Sequence, residues 1–189
     1  MTSCGHPSVG FPWAGLAWGF LVLLTQCTTV AVDQAWDRLD PLAPPDPSVQ
    51  ARWAHEAWRA DRAVNQHPDD ARALAKLADL RFLLGDPQEA AAAYARAFEL
   101  DPGLRTAERL ARHGTSLLHL ERNSEAKAAL DAALARDPEN GRALLSSAAY
   151  QADIAEDRDA ALQLLERADA TGRVHVPPDF RSSLENDLN

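Results

Sequence analysis

The first 32 residues contain no Asp, Glu, Lys or Arg, so the whole net charge of −9 lies beyond Val32. Cysteine is nearly absent: Cys4 and Cys27 are too few for a disulfide scaffold or a four-cysteine zinc site. No Gly-rich phosphate loop, zinc-protease His pair or nucleophile turn occurs; Ser146-Ser147 sits in helical sequence. None of the six histidines stands three or four residues from another, so two ligands on one helix face are excluded. These absences leave no metal, no cofactor, no small-molecule substrate and no catalytic residue to expect. The acidic balance excludes a nucleic-acid surface, which needs clustered basic residues. With 25% charged and 46% hydrophobic residues in 189, the chain is neither largely disordered nor a multi-span membrane protein.

What the leader does contain is an apolar core, Leu16–Leu24, followed by Thr25, Gln26 and Cys27. A short apolar stretch before a cleavage region reads as a secretory signal over 1–26. Leu24-Thr25-Gln26-Cys27 resembles the lipobox of bacterial lipoproteins, with Gln26 standing where a small residue is usual. That resemblance implies cleavage before Cys27, lipidation of its thiol, and a lipid anchor in a membrane of the bacterial cell envelope. Thr28 is not the Asp that retains some lipoproteins at the inner membrane, so the resemblance implies outer-membrane attachment facing the periplasm. Two alternatives stay open. The uncharged run Val9–Val32 has 24 residues, and about 20 suffice to span a bilayer as an uncleaved inner-membrane anchor. An ordinary secretory signal would leave Cys27 free.

Residues 27–45 read as a tether crowded with Pro41, Pro44 and Pro45, which is extended and fairly stiff. Asp46-Pro47 has the chemistry of a helix start. Val49, Trp53, Ala57, Ala60 and Val64 form one stripe of a front helix over 46–66. Trp58 falls on the opposite face. Either Trp36 or Leu42 of the tether covers it, or it contacts a partner.

The centre of the chain repeats. Leu74, Leu110 and Leu144 are separated by 36 and 34 residues, and so are Ala78, Gly114 and Ala148. Ala90, Ala126 and Ala160, and Tyr94, Leu130 and Leu164, keep the same step. Each unit reads as two helices broken near Gly85, Arg122-Asn123 and Glu156-Asp157, with small residues where the helices approach. The period and residue types resemble the tetratricopeptide repeat, best over Ala71–Leu104. Arg81 departs from the pattern, the second unit has two extra residues near Gly103–Thr106, and Arg167 replaces a small residue in the third. The expected fold is all-α: antiparallel helix pairs, with repeats at about 71–104, 105–140 and 141–170, stacked as a short right-handed superhelix. Residues 171–189 are a tail or a capping helix, with Phe180, Leu184 and Leu188 on one stripe.

In that family the first helix of each pair lines a concave groove. The resemblance therefore implies a partner-binding groove formed by Arg72, Lys76, Asp79, Phe82, Leu83, Arg112, Thr115, Leu118, His119 and Arg142. Some co-chaperone members clamp a terminal carboxylate with Lys and Asn. Ala75 and Asp79 occupy those positions here, which excludes that clamp. The function expected is a non-enzymatic protein-interaction adaptor of the cell envelope that binds a protein or peptide partner. The alternative is a single-span anchored structural subunit of a membrane complex.

Overall fold

The computed structural model describes residues 46–186. The leader, Cys27, the 27–45 tether and Leu188 lie outside the described residues. Among the described residues eight α-helices follow in order: α1 (Pro47–Gln66), α2 (Ala71–Leu83), α3 (Pro87–Leu100), α4 (Ala107–His119), α5 (Asn123–Arg136), α6 (Gly141–Asp153), α7 (Arg158–Thr171) and α8 (Pro178–Asn186). A 3₁₀ turn, Pro102–Leu104, absorbs the extra residues between the first two units. Among the described residues there is no strand, and no helix is long and apolar enough to cross a membrane.

Local chemistry sets the helix starts. Asp46 accepts from the Ser48 N–H (2.7 Å), Asp70 from Arg72 and Ala73 (2.9 and 3.0 Å), and Asn140 from Ala143 (2.9 Å). Asp157 accepts from Ala160 at 3.0 Å, so four helices gain an acceptor for otherwise orphaned amides. Asp86 accepts from Glu89 at 3.3 Å, but the reciprocal half of a capping box is not made. The Asp86 N–H already donates to the Arg81 carbonyl at 2.9 Å, and the Glu89 carboxylate pairs with Arg81 Nε at 2.7 Å. Arg81, an oddity in the repeat pattern, thus ties α2 to α3.

The helices pack as three antiparallel pairs, α2–α3, α4–α5 and α6–α7, with α1 laid on α2 and α8 on α7. Small residues permit the close approach. A Cβ on Gly114 would stand 2.8 Å from Leu130 Cγ, well inside contact distance. Ala78, Ala90, Ala126 and Ala148 are fully buried. In the third pair the register differs from the sequence reading by one residue. Ala161, Leu165 and Ala168 are fully buried, whereas Ala160 and Leu164 are only partly so. The cause is the turn: α7 begins five residues after Asp153, while α3 and α5 begin four after Leu83 and His119. Ala168 therefore holds the small position. Arg167 points outward and donates to the Pro138 carbonyl at 3.1 Å.

The three intra-pair turns each pass through the left-handed region, at Gly85 (φ 75°), Glu121 (φ 57°) and Glu156 (φ 56°). A residue with a Cβ pays about 1–2 kcal/mol there, against about 0.5–1 kcal/mol of chain entropy for glycine. Glu121→Gly and Glu156→Gly are each expected to raise stability by about 0.5 kcal/mol, and Gly85→Ala to lower it by about 1 kcal/mol. Urea midpoints that moved in the reverse directions would refute this account of the turns.

Both ends of the stack are closed. At the front, Ala57 and Ala60 of α1 pack with Leu77 and Leu80, flanked by Trp53 and Val64. At the back, Val176, Phe180 and Leu184 are buried in the same cluster as Leu145, Leu165 and Ala168. The stretch before α8 also packs inward. A Cβ on Gly141 would meet Val174 at 2.8 Å, so the glycine makes room for that return.

Candidate functional site: the concave face

The first helices of the pairs, α2, α4 and α6, line up side by side and bring residues 30 or more apart in sequence into one polar ladder. Asp79 of α2 is its first hub. It accepts from Tyr94 Oη (2.7 Å), Arg109 Nε (3.2 Å) and Arg112 Nη1 (3.1 Å). Glu108 of α4 is the second. It accepts from Arg112 Nε (3.0 Å) and Asn140 Nδ2 (3.3 Å), and Arg142 Nε stands 3.5 Å away. Thr115 and Ser146 hydroxyls meet at 2.8 Å, a further link from α4 to α6.

Electrostatics follow the geometry. Burial pushes the Glu108 carboxyl up, but Arg112 and Arg142 more than offset it, so the group sits below the ordinary carboxylate range. Burial, then the Asp79 charge, push the Tyr94 phenol far up, which fixes it as a proton donor to Asp79. Three arginines face two carboxylates, so most of the positive charge of this face is neutralised within the fold. Phe82 lies beside two cations: Arg142 Cζ is 4.9 Å from its ring centroid and Arg112 Cζ 5.9 Å.

The ladder leads into a hollow of about 400 Å³ at the third pair. Thr115, Arg142 and Ser146 line one side, and Arg173 and His175 of the stretch before α8 line the other. Arg173 pairs with Asp137 (3.5 Å) and Glu139 (3.3 Å).

The groove residues named from the sequence fall into distinct environments. Arg72 is exposed, and Lys76 is turned to α1, where it meets Glu56 at 3.3 Å. Phe82, Leu83, Arg112, Thr115 and Arg142 are partly exposed, and His119 is exposed at the end of α4. Leu118 is the correction. It is 2% exposed and packs in the core with Leu117 and Leu130, so it has no surface for a partner. Asp79 and Arg112 are also committed to one another and to their neighbours rather than turned outward. The sequence reading missed Tyr94 as the donor to Asp79, and it missed the contribution of Arg173 and His175. A glycine at position 141, opposite an apolar residue after α7, is the one signal that pointed to that fold-back.

Among the described residues no three His, Cys, Asp or Glu side chains are grouped to hold a metal. His113 is enclosed by Tyr94 and Phe98, with ring centroids at 5.9 and 5.7 Å. Burial, with Arg122 and Arg105 adding to it against Glu125, lowers its pKa to about 4.

Residues 71–104 match the family model of the tetratricopeptide repeat. The helix pairs and their stacking match solved structures built on the same repeat. A MamA crystal structure superposes with a TM-score of 0.56 at 18% identity, over 66% of this chain and 71% of that one. The fold is that of a tetratricopeptide-repeat protein. A second MamA structure agrees at a TM-score of 0.56 and 16% identity, over 79% of this chain and 91% of that one. A mutant O-GlcNAc transferase from Thermobaculum terrenum aligns at 0.54 and 20% identity, over 75% of this chain but only 26% of its own length. At these identities the likeness is one of tetratricopeptide architecture alone. No curated protein matches the sequence. Stacked repeats of this kind present an extended concave surface.

Proposed function

We propose that this protein is a non-catalytic docking adaptor of the bacterial envelope. In this reading its concave face takes a segment of a protein partner while a lipid on Cys27 holds it at a membrane. The observation that carries the docking half is the hydrogen-bonded polar ladder of α2, α4 and α6, with Phe82 and Leu83 partly exposed along it. A preformed surface lowers the ordering cost of binding an extended peptide. The apolar part of the contact comes from Phe82 and Leu83. The hollow near Thr115, Ser146 and Arg142 takes a side chain. The anchoring half rests on Leu24-Thr25-Gln26-Cys27 and on the uncharged leader before it.

Two measurements test the reading. Phe82→Ala with Leu83→Ala should abolish partner capture from cross-linked envelope fractions while helicity is kept. Arg112 is left intact in this test, because replacing it would strand Asp79 and Glu108 and unfold the ladder. Retained capture by the folded variant would sink the groove reading. For the anchor, the mass of the N-terminal peptide from membranes should be that of an acylated Cys27, lost in Cys27→Ala. An intact Met1 in the membrane fraction would assign an uncleaved single-span anchor instead.

A further inference from the structure

Trp58 is the one large apolar side chain exposed among the described residues, at 58%. It sits on the outer face of α1, opposite the stripe that packs on α2. The face around it is organised. His55 stacks on the indole at 6.1 Å with 26° between planes, and Arg62 Cζ lies 5.9 Å from the ring centroid. With Arg59 these side chains frame a shallow depression of about 360 Å³. No carboxylate among the described residues pairs with Arg59 or Arg62. This is an aromatic and basic surface on an acidic protein.

The sequence immediately before α1 is its chemical complement. Residues 33–42 carry Asp33, Asp37 and Asp40 against one Arg38, with Trp36, Leu39 and Leu42 at intervals of three. The reach is sufficient. Trp58 lies 11 residues along α1 from Pro47, or about 16 Å at 1.5 Å per residue. An extended chain covers about 3.3 Å per residue, so about five residues return to that level. Leu42 is the fifth residue before Pro47 and so comes level with Trp58, which brings Asp40 level with Arg62 and leaves Trp36 and Asp37 beyond it.

We propose that residues 33–42 dock on the Trp58 face of α1, with Leu42 covering the indole, Asp40 meeting Arg59 and Arg62, and Asp37 adding negative charge beyond them. A second copy of the chain fits worse, because a symmetric contact would bring Arg59 and Arg62 against their own like charges. Docking shortens the spacer between Cys27 and α1 and fixes the orientation of the stack relative to the N-terminal segment.

The test uses the full chain in detergent with Ala54→Cys, an exposed position on the same face, and maleimide labelling read by peptide mass. Ala95→Cys on α3 is the exposed reference. Labelling at position 54 should be at least tenfold slower than at 95, independently of protein concentration. Asp37→Lys with Asp40→Lys should remove that protection, and adding Arg59→Asp with Arg62→Asp should restore it. Equal labelling at the two positions would overturn the proposal. So would protection that rises with protein concentration, which would assign the face to a second copy, or protection indifferent to the charge swap.

Discussion

Replacing Phe180 and Leu184 by alanine together should remove most of the stability of the third repeat. Both side chains are buried in the cluster that also holds Leu145, Leu165 and Ala168. Loss of such groups costs about 3–5 kcal/mol for Phe and about 2–5 kcal/mol for Leu, and contact between them makes the sum non-additive. Domains of this size have about 5–15 kcal/mol in total. Because each repeat touches only its neighbours, the damage should stay local. Hydrogen exchange should accelerate first in α6 and α7, with α2 and α3 protected as before. Newly exposed apolar surface should also promote association. Glu185→Ala, at an exposed position of the same helix, serves as the control. An unchanged melting profile in the double variant would contradict a capping role for α8.

The second large effect is a dependence on pH. His113 packs against the stacked rings of Tyr94 and Phe98, and burial lowers its pKa to about 4 from the ordinary 6.5. The folded state thus prefers the neutral ring. The stabilisation it brings is complete above pH 6.5 and is lost as the pH falls toward 4, because the unfolded chain takes up the proton first. A difference of this size corresponds to roughly 3 kcal/mol at most. His113→Gln keeps a polar side chain but removes the titration. The gap in unfolding free energy between wild type and variant should shrink from pH 7 to pH 4.5. Taking that difference cancels the carboxylates common to both chains. Parallel stability curves would rule out His113 as the source.

Much of the architecture was legible because its cause is periodic. A step of 34–36 residues in small and large apolar positions specifies stacked helix pairs, and capping side chains mark where the helices begin. The register of α7 was not legible, for a definite reason. Ala160-Ala161 and Leu164-Leu165 are adjacent pairs of the same residue, so two registers one residue apart satisfy the pattern equally. Only the longer turn after Asp153 selects between them. Leu118 was misplaced for a related reason: a resemblance assigns a helix face, and the packing of α4 on α5 decides which side chains on its border are covered.

The concave face was legible as a set of helices and illegible as chemistry. A basic tendency in α2 and α4 is visible in the sequence, yet most of that charge is spent inside the fold. Arg109 and Arg112 reach Asp79 across 30 and 33 residues of sequence, and Arg142 reaches Glu108 across 34. Such pairings depend on the angle between neighbouring repeats. Individually, exposed ion pairs contribute about 0–1 kcal/mol. Here the pairs are partly buried and shared, and they set the positions of three helices that together present Phe82 and Leu83.

Site-specific photo-crosslinking in living cells tests the docking account most directly. A photoreactive residue at Leu83, on the concave face, is compared with the same residue at Ala95 and Ala128, exposed on the second helices α3 and α5. The account predicts a discrete protein adduct from position 83, suppressed by Phe82→Ala, and none from positions 95 or 128. Adducts from the second helices with none from position 83 would place the partner surface on the other side of the molecule and contradict it.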